Sequence, residues 1–454
     1  MRILVLSQYW TPENGVPQRR WSWLSKILVQ AGHDVLVIAP PPHYERRLEL
    51  QHWFSRKNIF GANEIETGES GEKILRSGFF PAGPSLTNRI LNQASVAFSM
   101  LLMQATKRAG IKHFDPDLVI GTVPALPTAM VTRIIAKQLR TPYIIDLRDA
   151  WPDLLKEKGD WNSGTGKRSV REIVLTKGPF QLMTALTGCA INYVLRYADG
   201  IVTTSQDLTE HLEAEDRERC GAFVRPIRTV RNVFPPKSEF ISSDKGQRRS
   251  SALNVLYAGT VGRAQKIDNA VKAVKIAQDR GYDINFRIVG DGATWQATKE
   301  TIEAIGIDAT IEHRVPAKDL QNIYEWADTA LVHLTNWEPL NRTVPSKTYE
   351  LMSLGVHTTA VVQGEAARLV EELGAGVVVP PENPEALANA WAMLIDDRSK
   401  LTVSPSGREW VIEQRDGVVP EAFLNIIDGV NEQKRSAPSS RTFQSIQPGS
   451  KIRK

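Results

Sequence analysis

Arg263, Lys266, Lys347 and Glu350 are the side chains of this 454-residue chain whose types and spacing point most directly to chemistry. Arg263 and Lys266 follow the apolar run Leu253-Asn254-Val255-Leu256-Tyr257-Ala258-Gly259, in a loop that also holds Gly262. In an open parallel sheet, the loops at the carboxyl ends of the strands are where ligands bind. A guanidinium there can hold a phosphate through two parallel hydrogen bonds, and an ammonium adds a point charge. Downstream, Pro345-Ser346-Lys347-Thr348-Tyr349-Glu350 reads as a helix start, with proline suited to the first turn. Free amides at such a start attract a diphosphate, and Lys347 strengthens the field around Ser346. Glu350, about a turn further in, is placed to accept the hydroxyls of a ribose. A solvated loop and an ordinary surface helix are the plainer readings of the same two segments.

The first half carries a second set of candidates. The strand Arg2-Ile3-Leu4-Val5-Leu6-Ser7 runs into a turn-rich loop that puts Glu13 and Gly15 at its end, facing a presumed cleft. Gly15 permits close approach of a phosphate or sugar, which a larger side chain would obstruct. Asp146, Arg148 and Asp149 sit at the end of another strand and are costly to bury unless paired. They form either a mutual ion pair or a site in which Asp149 orients or deprotonates a hydroxyl. Gly290-Asp291-Gly292 is a further turn on the ligand edge. His33, between a helix and a strand, is read as structural, and His43 as open between structure and site. There is no P-loop and no GxGxxG, so any phosphate site is assembled from scattered pieces.

These residues need two α/β units to position them. Short unbroken apolar runs at 2–7, 118–122, 143–147 and 200–204 read as parallel strands covered on both faces, as does one within 32–40 after a cap, with a helix over Val16 to Gln30. The pattern restarts at Leu253 and continues with strands near 285–290, 310–312, 329–334, 358–362 and 374–380. The alternation predicts two doubly wound domains, 1–235 and 252–432, joined by a hinge through Asn232-Val233-Phe234-Pro235-Pro236 and the polar run 242–251. Residues His43 to Glu72 read as a polar surface excursion.

The net charge of +5 and pI near 9.0 would suggest an anionic partner, but Lys434, Arg435, Arg441, Lys451, Arg453 and Lys454 put all of the excess in the last residues. The body is close to neutral, which argues against nucleic acid. The segment 433–454, rich in serine, proline and glutamine, is expected to be a basic disordered tail, either merely solvated or a weak tether to anionic lipid. Two cysteines, Cys189 and Cys220, fit a reducing compartment with no structural zinc. The first strand begins at once, so a cytoplasmic protein is expected. Two mostly apolar stretches, Ile90 to Met103 and Ile173 to Leu195, read as core-facing helices or as a surface against a membrane.

Taken in order, several phrases carry a resemblance: Gln8-Tyr9-Trp10-Thr11-Pro12-Glu13-Asn14-Gly15, Gly32-His33-Asp34-Val35, Asp146-Leu147-Arg148-Asp149-Ala150-Trp151-Pro152-Asp153, Ala258-Gly259-Thr260-Val261-Gly262-Arg263-Ala264-Gln265, Ala327-Asp328 and Pro345-Ser346-Lys347-Thr348-Tyr349-Glu350-Leu351-Met352. Over about residues 1 to 430 the chain resembles the family 4 glycosyltransferases of GT-B architecture, and within them the WbuB-like branch. The resemblance implies an α/β fold of two Rossmann-like domains facing a central cleft. It also implies retaining transfer of a sugar from a nucleotide-diphosphate-sugar donor, which is a substrate, with no separate cofactor and no essential metal. The acceptor would be a glycolipid, a lipid-linked glycan or a surface-polysaccharide precursor, met at the cytoplasmic face of the inner membrane. Arg263 would hold the donor diphosphate, Glu350 the ribose, and Asp149 would lie near the reacting sugar. Arg263, Lys266 and helix-terminal amides would stabilise the leaving diphosphate. Two departures stand out: Arg342 occupies the place, eight residues before Glu350, where the family often carries an acid, and Lys266 lies closer to Arg263 than the family's phosphate lysine does. A nucleotide-sugar epimerase of the same architecture, or a catalytically silent binding protein, are the competing readings.

Overall fold

The computed structural model describes residues 1–13, 15–42, 64–81, 86–107, 109–123, 125–162, 179–220, 225–236, 242, 251–316 and 319–436. Within them, His43, the body of the excursion, most of the polar run before Ser251 and the tail from 437 onward are not included. The first sheet contains β1 (Arg2–Leu6), β2 (Asp34–Ala39), β3 (Ile65–Thr67), β4 (Lys73–Arg76), β5 (Leu118–Val123), β6 (Tyr143–Leu147), β7 (Gly200–Thr203) and β8 (Ile227–Thr229). Their spatial order is β3-β4-β2-β1-β5-β6-β7-β8, and every pairing is parallel except β3 with β4. The second sheet is β11-β10-β9-β12-β13-β14, all parallel, from β9 (Ala252–Ala258), β10 (Asp283–Val289), β11 (Ala309–Glu312), β12 (Thr329–His333), β13 (Thr358–Val361) and β14 (Gly376–Val379).

In both sheets the chain starts at a central strand, moves outward, then returns and moves the other way. The switch points, between β1 and β5 and between β9 and β12, are where crevices open at the carboxyl ends of the strands. The unbroken apolar runs follow from burial on both faces: every residue of β5 and of β6 is buried. The short strands β3, β4 and β8 were not legible as strands, since β3 is exposed throughout and β4 and β8 are too brief to show a period.

The helices that matter for the site are α1 (Val16–Gln30), α2 (Leu86–Ala105), α3 (Leu126–Leu139), α4 (Pro179–Arg196), α5 (Gln206–Cys220), α6 (Ser346–Leu354) and α7 (Val419–Ser436). The proline at the start of α1 and of α3 fits the first turn, where its missing amide hydrogen costs nothing. α7 corrects the expected boundary at 432. It runs on to Ser436 and packs against the first sheet, so the last described helix closes the domain that β1 opens. Trp21 and Phe423 meet edge to face with ring centroids 6.3 Å apart. A Cβ placed on Gly200 would lie 3.1 Å from Val430 and 3.3 Å from Ile426, so a larger residue would press those side chains back by a few tenths of an ångström. One buried cluster accordingly joins Trp21 and Val202 of the first half to Phe423, Ile426 and Val430 of α7.

The first apolar stretch, and the second from Pro179 onward, are helices with one face turned outward, while residues 173–178 lie outside the described residues. α2 exposes Ile90, Leu91 and Phe98, and α4 exposes Leu182 and Leu186, while Val96, Met100 and Met103 of α2 are buried. The buried faces bear out the core-facing reading, and the outward faces leave apolar side chains exposed. No helix among the described residues is long and apolar enough to cross a membrane.

Candidate active site

A cleft of about 940 Å³ opens between the two sheets. From the first half it is lined by Gly15 and Arg19 of the α1 start, Arg89 of α2, and Arg148, Asp149 and Trp151 beyond β6. From the second half come Gly259, Arg263, Gly290, Gly292, Ser346, Lys347 and Glu350. Candidates some 330 residues apart in sequence thus share one cavity, and its charge is mostly positive.

The second-half wall is built on glycine. A Cβ on Gly292 would fall 2.0 Å from the Val261 carbonyl oxygen, and one on Gly290 1.7 Å from that of Gly259. The turns after β9 and β10 therefore pack backbone against backbone, which leaves room above them and sets Arg263 at the rim. The Arg263 Nε is buried with no hydrogen-bond partner among the described residues. Burial lowers its pKa, and the like charge of Arg89 opposite lowers it further.

At the start of α6, Lys347 donates to the Tyr324 hydroxyl at 2.9 Å and to Glu350 Oε2 at 3.1 Å. Tyr324 donates to Glu350 Oε1 at 3.0 Å, and Arg19 reaches across the cleft to 3.9 Å from Oε2. Burial alone would raise the Glu350 pKa, but Lys347 and Arg19 outweigh it and hold the carboxylate ionised. Burial pulls Lys347 down, yet Tyr324 and Glu350 overcome it and keep it charged. Burial pushes the Tyr324 hydroxyl up to about 12, so it stays a donor. The result is an ionised carboxylate held beside a fixed cation. Tyr324 and Arg19 were missed in the sequence: Tyr324 reads as a core aromatic in a short helix, and Arg19 as one more polar residue of α1.

Asp146 separates from the charged cluster in which the sequence placed it. Its partners are Arg20, whose Nη2 donates to Oδ1 at 2.8 Å, and Trp21, whose indole donates to Oδ2 at 2.8 Å. Arg20, fully buried, also donates to the Val230 carbonyl at 2.7 Å and to Asn232 at 3.0 Å. This network fixes the end of β6 against α1 and so aims the next residues, Arg148 and Asp149, into the cleft. Burial raises the Asp149 pKa, while Arg148 and a hydrogen bond from Trp151 pull against that rise.

Two candidates lie elsewhere. Glu13 does not line the cleft; it is buried, accepts from Gln18 at 3.3 Å within the first turn of α1, and borders a separate hollow with Trp23 and Lys26. Lys266 turns away to Glu382 at 2.9 Å, a carboxylate that also accepts from Thr335, so its charge is spent outside the cleft. Arg342, in the place of the family's acid, likewise points away: it pairs with Asp153 of the first half at 2.8 Å and with Glu338 at 2.6 Å, tying the two domains together. His33 meets the chain's own amino terminus at 3.4 Å.

His333, at the floor of the cleft, is held neutral, its pKa lowered by burial to about 3, and His357 is lowered to about 4 for the same reason. Both values lie below the ordinary 6.5, so between about pH 6.5 and 4 the unfolded chain takes up protons that the native one refuses. The stability these histidines contribute is complete above 6.5 and lost as pH falls through that window. Urea midpoints measured from pH 7.5 to 4.5 should fall more steeply for the wild type than for His333→Asn; parallel curves would count against this assignment.

Comparison with known proteins fits this geometry. Residues 15–221 match the model of the glycosyl transferase 4-like domain, and residues 252–397 that of glycosyl transferases group 1. The chain is a family 4 glycosyltransferase of GT-B fold. The glycosyltransferase is 23% identical to the putative colanic acid biosynthesis glycosyl transferase WcaI of Escherichia coli K12, over 94% of this chain and 100% of that one. Its fold is shared with sucrose-phosphate synthase of Thermosynechococcus elongatus, at a TM-score of 0.63 and 16% identity, covering 96% of this chain and 98% of the other. It is shared too with Anabaena HepE, solved in complex with UDP and glucose, at 0.55 and 14% identity, covering 96% and 99%. The glycosyltransferase domains matched by the two models contribute the two walls of the cleft described above.

Proposed function

We propose that this glycosyltransferase moves a sugar, with retention of anomeric configuration, from a nucleoside diphosphate donor to a glycan or lipid-linked precursor of a cell-envelope polysaccharide. The ordered phrases of the sequence support the narrower reading that it belongs to the WbuB-like branch. The observation that carries the reading is the second-half wall: Arg263 with an open buried Nε, Lys347 at the α6 amino end, and the ionised Glu350 beside it. A nucleoside diphosphate matches that series, its phosphates at Arg263 and the α6 amides and its ribose hydroxyls at Glu350. The relative named as a putative colanic acid biosynthesis glycosyl transferase supports the acceptor class, and the fold neighbour solved with UDP supports the donor class.

In the reaction the bond between the anomeric carbon and the diphosphate oxygen breaks, and the acceptor hydroxyl forms the new bond. Negative charge grows on the diphosphate, where Arg263, Lys347 and the α6 amides are already oriented and need no reorganisation. With that charge supplied by side chains, the chemistry is proposed to need neither metal nor cofactor. Asp149 on the opposite wall accepts a hydrogen bond from the acceptor hydroxyl, orienting it and drawing off its proton. The exposed apolar faces of α2 and α4 support work at the cytoplasmic membrane surface, where such acceptors reside.

A melting-temperature panel with UDP, GDP, ADP and CDP tests the donor site, since a ligand bound only by the native state raises the midpoint. One nucleotide should stabilise the protein by several degrees; no shift with any of them would remove the basis of this reading. Asp149→Asn should then lower kcat by about 10²–10⁴-fold, with that nucleotide still bound. Unchanged kcat would take Asp149 out of the reaction.

A further inference from the structure

Three arginines hold the backbone of the hinge between the two domains. Arg20 donates to the Val230 carbonyl at 2.7 Å, Arg415 Nε to that of Val233 at 2.8 Å, and Arg19 Nη2 to that of Pro235 at 2.6 Å. Of these three, Arg19 is the one that also lines the cleft. Its guanidinium lies over the Phe234 ring, 4.6 Å from the centroid. Two hinge residues therefore fix where Arg19 points, and its Nη1 lies 3.9 Å from Glu350 Oε2 in the other domain. That separation is too long for a hydrogen bond but short enough for charge to act. An ionised carboxylate has about four lone-pair sites. Tyr324 donates to Oε1 and Lys347 to Oε2, while Arg19 supplies charge without claiming a further site. Both oxygens of Glu350 thus keep acceptor capacity for a ribose hydroxyl.

We propose that Arg19 is a positioning residue for donor binding: anchored on the hinge, it holds the Glu350 carboxylate of the second domain in the orientation that accepts the ribose hydroxyls. This rests on the ribose role of Glu350 proposed above and adds a first-domain residue to it. Arg19 acts through Glu350, so its influence is confined to what that carboxylate binds. Recognition of the ribose depends on how α1 meets the hinge, whereas recognition of the diphosphate by Arg263 and the α6 amides does not.

Calorimetric titration of the full chain with UDP, or with whichever panel nucleotide binds, tests this against the dideoxy analogue of the same nucleotide, which keeps base and diphosphate and lacks both ribose hydroxyls. The wild type should bind the analogue about tenfold or more weakly, because hydrogen bonds to an ionised carboxylate are lost. Arg19→Gln should weaken the parent nucleotide about three- to tenfold and the analogue by less than about twofold, with Arg19→Lys in between. On a Glu350→Gln background, Arg19→Gln should cost less than about twofold more, since the two residues act in series. Equal weakening of parent and analogue is what a role in the fold alone would give, and it would overturn the proposal. So would undiminished binding of the parent nucleotide by Arg19→Gln, or a full further loss on the Glu350→Gln background. If Arg19→Gln does not fold, Phe234→Leu, which removes the ring beneath the guanidinium, carries the same comparison. In each of these cases a wild type that prefers the parent nucleotide keeps the ribose role of Glu350. A wild type that binds both equally removes that role, and the proposal with it.

Discussion

Arg263→Ala is expected to lower kcat/KM for sugar transfer by about a hundred- to a thousandfold, because it deletes a preorganised cation where charge appears on the leaving diphosphate. The expectation rests on placement. Arg263 is set at the rim by turns whose glycines touch backbone to backbone, and its Nε has no competing partner among the described residues. It therefore makes no interaction that must be broken before the substrate arrives. Lys347 differs, since it is already bonded to Tyr324 and Glu350. Lys347→Ala should raise the nucleotide Kd and also release Glu350, whereas Arg263→Ala should act chiefly on kcat. Single-turnover rates with saturating donor separate the two; an Arg263→Ala enzyme within about threefold of wild type in that assay would remove the residue from the transition state.

Asp146→Ala is expected to destabilise the protein by about 3–5 kcal/mol, the usual consequence of leaving one member of a fully buried ion pair alone. Arg20 and Asp146 are 0% and 1% exposed, and Trp21 would lose its acceptor at the same time. Urea unfolding followed by tryptophan fluorescence checks it. The double variant Arg20→Met, Asp146→Leu should regain part of the loss, since an apolar pair leaves no charge stranded, though Val230 and Asn232 then lose their donor. A single-variant loss below about 1 kcal/mol would mean that water enters the network. Activity should drop with stability here, because the same network aims Arg148 and Asp149.

Much of this molecule was open to reading along one dimension. The span of α1, the positions of β1, β2, β5, β6 and β7, and the restart at β9 follow from apolar runs and their caps, as burial on both faces of a parallel sheet demands. The phosphate-compatible character of Arg263, Ser346, Lys347 and Glu350 is likewise local, since a strand end or a helix start is recognised from the few residues that form it. Their meeting at one cleft follows from the doubly wound pattern, which puts ligand loops on one edge.

Partners were decided only in three dimensions. Whether Lys266 faces a ligand depends on Glu382, which lies 116 residues away and captures it. Whether Asp146 pairs with its neighbour Arg148 or with Arg20 depends on how α1 lies against β6. Glu13 is turned from the cleft by Gln18, and α7 returns to the first sheet because Gly200 and Trp21 leave a surface that its apolar face fits. A charge's partner is set by distances of a few ångströms between segments far apart in the chain, and local pattern carries no information about those distances. Sequence by itself therefore determined most of the elements, the family and the edge on which the site lies, and tertiary packing decided which of the charged residues on that edge are free to act.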